Sequence, residues 1–180
     1  PSPPCGEVAQ RILRQYGLWR AVPAGVRQAL ARPPARRPVA PRPVNILVAS
    51  NGDMLDAAAE EARRLGFRTV VASRRMRGEA SSAGRRLARR IEHQDGPDCL
   101  LLGGETTVTL RGRGLGGRNQ ELALAAAIEL DGTSRTALMA RASDGIDGPS
   151  DAAGAIVTGE TAGCAYVLGV DLNRALAQHD

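Results

Sequence analysis

From Val44 onward, short apolar runs alternate with longer stretches that are apolar only at helical spacing. This order constrains the fold more than any other feature of the chain. Val44–Ala49 (VNILVA) reads as a buried strand feeding the turn Ser50-Asn51-Gly52-Asp53. Met54–Leu65 reads as a helix closed by Gly66, Phe67–Ser73 as the next strand, Glu79–Gln94 as a second helix, and Cys99–Leu102 as a third strand. Strand, helix, strand, helix, strand implies a parallel sheet joined by right-handed crossovers. Aromatic residues make up only 2% of the chain, so its core must be built from Leu, Val, Ile and Ala.

Beyond Gly103-Gly104 the pattern changes. Thr106–Arg111 (TTVTLR) alternates polar and apolar residues and is predicted to be a half-exposed strand. A glycine-rich loop leads to a helix over Asn119–Leu130, with Asn119 as its expected cap. Thr136–Ala142 and Ala153–Thr158 read as strands separated by an aspartate loop, and Ala162–Leu168 and Leu172–Gln178 as closing helices. The later strands lie too close in sequence for a helical crossover each time. The predicted class is therefore α/β, with a mixed, largely parallel sheet flanked by helices.

The first 31 residues carry helical spacing (Val8, Ile12, Leu13, Tyr16, Leu18), with Pro23 opening a second short helix. Arg32–Pro43 contains five prolines and no periodicity, as an extended linker would. The expected organisation is a helical segment with its linker over 1–43 and an α/β domain over 44–180 that stops in mid-pattern.

Several functions are disfavoured. All 24 basic side chains are arginine, which excludes a Walker-type phosphate loop or a Schiff-base lysine within these residues. The net charge of +5 invites a nucleic-acid partner, but the arginines are scattered, and one Trp, one Phe and two Tyr offer no stacking platform. Three widely spaced cysteines and two histidines lack metal-ligand spacing. No apolar run has the length of a membrane span, and nothing resembles a secretory signal, so a cytoplasmic location is expected.

The chemistry concentrates in three glycine-bracketed polar stretches: LLGGETT (Leu101–Thr107), LGGRNQE (Leu115–Glu121) and ASDGIDGPSD (Ala142–Asp151). Each follows or precedes a predicted element, so Glu105, Arg118, Asp144, Asp147 and Asp151 are displayed at element ends, where α/β proteins build their sites. Arg118 at the start of a helix adds a guanidinium fork to unpaired backbone N–H groups, a natural seat for a carboxylate or phosphate. The bland alternative pairs it with Glu121. Glu105 suits a substrate hydroxyl, a general base or a metal, or is a solvated turn carboxylate. Asp144 and Asp147 bring two carboxylates together for Mg²⁺ or an attacking hydroxyl, or form a plain Asp-Gly turn. No GxGxxG fingerprint follows a strand and opens a helix.

Taken together, GGETTVTLRGRGLGGRNQELALAAAIEL and ASDGIDGPSDAAGA resemble the C-terminal (MOFRL) domain of the class II glycerate 2-kinases, a family also labelled hydroxypyruvate reductases. The resemblance extends over the whole chain, with the first 30 residues similar to the family's linker helices. It implies ATP-dependent phosphorylation of D-glycerate at its 2-hydroxyl, with Mg²⁺, in a cleft between two domains. Glu105, Arg118 and Asp144 would then be catalytic, with Arg118, Asn119, Glu105 and Gly104 on the substrate and Asp144 and Asp147 on the metal. The family's nucleotide-binding first domain and its closing TGPTGTN-like segment have no counterpart here. The chain is thus expected to be a fragment, inactive by itself, whose partners are glycerate, ATP and that first domain; a homodimer is left open. Two alternatives stand beside it: a nicotinamide-dependent reductase acting on hydroxypyruvate, and a non-catalytic module binding small anions.

Overall fold

The computed structural model describes residues 6–32, 44–91 and 98–178. The chain divides into two compact units, Pro1–Ile46 and Leu47–Asp180. In the first, α1 (Gly6–Gln15) and α2 (Ala24–Ala31) are joined by a single 3₁₀ turn, and Gln10 donates to the Leu30 carbonyl at 2.9 Å. The predicted linker falls almost wholly outside the described residues.

The second unit is α/β. Its elements run α3 (Asn51–Arg64), β1 (Thr69–Met76), α4 (Ala80–Ile91), β2 (Cys99–Gly104), α5 (Arg118–Glu129), β3 (Ala137–Arg141), β4 (Gly154–Thr158), α6 (Thr161–Val167) and α7 (Leu172–Gln178). The strands form two separate ladders: β1 pairs with β2 in parallel, and β3 with β4 antiparallel. Helix α3 starts three residues earlier than its apolar spacing predicts, because Ser50 and Asp53 form a reciprocal capping box that satisfies two of the first-turn donors. It buries Leu55 and Ala59 and packs against both β1 and β2.

The core centres on α5. Leu122, Ala123, Ala125, Ala126, Ala127 and the C-cap Leu130 are all buried, against Ala80, Ala83 and Ala88 of α4 and against Leu138, Ala140 and Val157 of β3 and β4. Small residues let the two helix backbones approach closely, and a Cβ placed on Gly84 of α4 would strike the Leu122 carbonyl. Alanine and glycine here do the work that aromatic rings do in other cores. Among the described residues, no buried side-chain nitrogen or oxygen lacks a partner.

Two predicted strands are absent. Val44–Ala49 makes no strand; Val44, Ile46, Leu47 and Val48 are 79–92% exposed. An apolar run specifies a β preference, but a strand forms only when it pairs with a partner, and among the described residues β1 pairs with β2 alone, its other edge left unpaired by this run. Thr106–Arg111 forms one isolated bridge, Glu79 to Thr107, because the Glu79 carboxylate captures the Thr109 N–H (2.7 Å) and hydroxyl (3.2 Å) and so ends any ladder.

Candidate functional site

Three segments meet around the carboxyl end of β2 and the amino end of α5. Strand β2 finishes at Gly103-Gly104, and the next residue, Glu105, is tethered when its N–H donates to the Met76 carbonyl at the end of β1 (2.9 Å). Gly104 adopts a φ of 150°, and a side chain there would run into the Met76 backbone. Arg118 is the first residue of α5, and its guanidinium lies 3.0 Å from the Glu105 carboxylate. Two of the predicted site residues, well separated in sequence, are thereby brought into contact at the end of the parallel strands.

The pair is open to water, with the arginine side chain 45% and the glutamate side chain 73% exposed. An exposed pair of this kind contributes about 0–1 kcal/mol, so exchanging Glu105 for another anion would cost little.

The aspartate loop reaches the same helix end. Asp147 is 2% exposed, and its carboxylate accepts from the Asn119 N–H (3.1 Å), the Asn119 side-chain amide (2.9 Å), the Gln120 N–H (2.7 Å) and the Gln120 side-chain amide (3.3 Å). Loops this close need glycine: a Cβ on Gly117 would strike Asp147, and Gly148, at φ 66°, lies against the Gly116 carbonyl.

These contacts correct three expectations. Asn119 is not the cap of α5; the N-cap is Gly117, and Asp147 caps the helix from 28 residues downstream. The N–H groups of Asn119 and Gln120 are consequently not open to a substrate anion, and the Asn119 side-chain amide donates to Asp147. Asp147 is also no magnesium ligand in this arrangement, because both of its oxygens are filled by donors. Asp144 is exposed and, among the described residues, accepts only the Ile146 N–H (3.3 Å) within its own turn, with no bond to Glu105 or Arg118. Among the described residues, no group of three or more His, Cys, Asp or Glu side chains could hold a metal ion by itself. Arg118 does not pair with Glu121, which accepts the Ser81 N–H at the start of α4.

One residue of this region escaped the sequence reading. Asn51, read only as part of a turn, donates to the Arg74 carbonyl (2.8 Å) and lies against Gly103. Its only signal was its place directly after an N-cap serine.

Residues 98–180 match the MOFRL family. Over 99% of its length the chain is 37% identical to the glycerate 2-kinase of Pyrococcus horikoshii, and over its full length 35% identical to the D-glycerate 2-kinase of Thermotoga maritima. It spans 44% of each of those relatives. A protein of Agrobacterium vitis named a hydroxypyruvate reductase is 34% identical over 96% of the chain. The crystal structure of the Thermotoga maritima glycerate kinase superimposes with a TM-score of 0.75, covering 99% of this chain and 44% of that one. Among the described residues, no helix is long and apolar enough to cross a membrane.

Proposed function

We propose, from the match of residues 98–180 to the MOFRL family, that the chain supplies the glycerate-facing part of an ATP-dependent glycerate 2-kinase. The reaction transfers the γ-phosphoryl group of ATP to the 2-hydroxyl of D-glycerate, giving 2-phosphoglycerate and ADP. Residues 44–180 would be the MOFRL-like domain, and 1–43 a helical segment followed by a Pro/Arg-rich linker. The observation that carries the reading is the Glu105–Arg118 pair at the carboxyl ends of the parallel strands, where open α/β sheets receive their ligands.

In this mechanism Arg118 exchanges Glu105 for the glycerate carboxylate or for the phosphoryl group in transit, with a forked guanidinium suited to either. The released Glu105 accepts a substrate hydroxyl. Asp144, exposed in its turn, orients or deprotonates the attacking 2-hydroxyl. Gly104, where a side chain would strike the Met76 backbone, lets the strand end turn toward the substrate, and Asn119 serves by holding Asp147 rather than the ligand. The nucleotide is bound by the portion of the relatives that this chain does not span. No step is assigned to Mg²⁺.

A coupled ADP assay with D-glycerate and ATP tests this on two proteins: the 180-residue chain alone, and the chain fused to the remaining portion of the Thermotoga maritima enzyme. The chain alone is expected to give no ADP above background, since positioning two substrates supplies most of the rate. The fusion is expected to turn over, and Arg118→Ala to slow it about 100-fold. Full activity in the Arg118→Ala fusion would remove the reading. The Agrobacterium vitis name keeps a hydroxypyruvate reductase as the second reading; hydroxypyruvate-dependent NADH oxidation by the same proteins would establish it instead.

A further inference from the structure

Strand β1 does not pair evenly with β2. The register runs Val71 to Leu101, Ser73 to Leu102 and Met76 to Gly104, with an irregularity in each interval. Such slips interrupt a ladder and leave backbone groups to find other partners. The carbonyl of Arg74 lies in the second slip, and its donor is the side-chain amide of Asn51 at 2.8 Å. Because the nitrogen must face that carbonyl, the orientation of the amide is settled, and its oxygen points away from Arg74.

The same amide rests on β2. A Cβ built on Gly103 would come within 2.7 Å of the Asn51 nitrogen and of the Leu55 methyl, so Asn51 occupies the space that a side chain on Gly103 would need. Asn51 is itself fixed at the first position of α3 by the Ser50–Asp53 capping box, and Arg74 returns a bond from its guanidinium to the Gly52 carbonyl (3.0 Å). Two residues beyond Arg74, the Met76 carbonyl accepts the Glu105 N–H; two residues beyond Gly103 stands Glu105. Asn51 thus grips both strands just before they deliver Glu105 to Arg118.

We propose that Asn51 is a positioning residue: it clamps the irregular ends of β1 and β2 and thereby sets where Glu105 meets Arg118 and the substrate. The structural part stands on the contacts above; the consequence for glycerate rests on the proposed function. Amide hydrogen exchange on the 180-residue chain tests the first part. In Asn51→Ala the Glu105 N–H is expected to exchange about tenfold faster while Ala126 in the core is unchanged. Unchanged protection at Glu105, or a uniform rise across the chain, would overturn the proposal. Should Asn51→Ala fail to fold, Asn51→Ser, whose hydroxyl is too short to reach Arg74, replaces it. In the active fusion, Asn51→Ala is expected to raise KM for glycerate about tenfold and leave KM for ATP unchanged. Loss of folded protein lowers the rate without moving either KM, and an unmoved KM for glycerate would overturn the positioning role. An inactive unmutated fusion would defeat the proposed function, while the exchange experiment would still decide the role of Asn51.

Discussion

Toward its C-terminus α5 presents Ala123, Ala126, Ala127 and Leu130, all fully buried against α4, β3 and β4; at its N-terminus Arg118 stands half in water beside a glutamate that is mostly in water. Between the two lies Asp147, a charge buried at the helix start. The alanine face is held by shape and tolerates neither added nor removed volume. The arginine end is held by a contact that contributes little to stability and is therefore available for exchange with a ligand. One helix carries both kinds of residue, and substitutions along it should separate them.

The largest effect is expected at Leu130. Leu130→Ala removes a side chain with no exposed surface and leaves a cavity, at a cost of about 3 kcal/mol by urea denaturation. Gly84→Val probes the same interface from the other side, driving a branched side chain into the Leu122 carbonyl. If either variant is as stable as the parent, the packed contact between α4 and α5 is not what holds this unit together.

Next comes Asp147→Ala, which strips α5 of its cap and leaves the Asn119 and Gln120 donors unmet. A loss of about 2 kcal/mol is expected, and Asp147→Asn should recover part of it by keeping one acceptor. A fully stable Asp147→Ala chain would return the aspartate to candidacy as a ligand.

These two regions also differ in how far the sequence discloses them. The helix over α5 is visible in apolar spacing, and the boundaries of α7, β3 and β4 are nearly those that spacing predicts, because their inward residues alternate or recur regularly. The cap of α5 is not visible: rules for helix starts look one residue upstream, and Asp147 arrives from 28 residues away in sequence. Val44–Ala49 misleads for a related reason, since apolar content does not report whether the run will pair with another strand. The glycines flanking Glu105 and Arg118 mark them as displayed at element ends, but their contact depends on two loops packing together, and Asn51 has no motif of its own.

A smaller effect follows from pH. The Glu129 carboxyl is held below its ordinary value, first by its hydrogen bonds with Arg89, opposed by desolvation, and further by Arg85. A carboxyl lowered on folding stabilises the protein above its unfolded pKa of about 4.3 and loses that contribution as pH falls through the folded value. Stability should therefore decline with acid below about pH 4.3, and Glu129→Gln should flatten that decline without changing the α5 end occupied by Arg118. An identical pH slope in the variant would show that the arginines of α4 do not favour the charged carboxylate.

The smallest effect on stability, and the sharpest test of the contrast, belongs to Arg118→Ala. Its pair with Glu105 is exposed on both sides, so the variant should unfold within about 0.5 kcal/mol of the parent. The same substitution is expected to cost about 100-fold in glycerate phosphorylation by the fusion. A residue that matters to turnover and not to folding is one the fold displays rather than uses. If Arg118→Ala instead destabilises the chain as strongly as Asp147→Ala, the arginine belongs with the structural end of the comparison, and its contact with Glu105 is a strut across the strand ends.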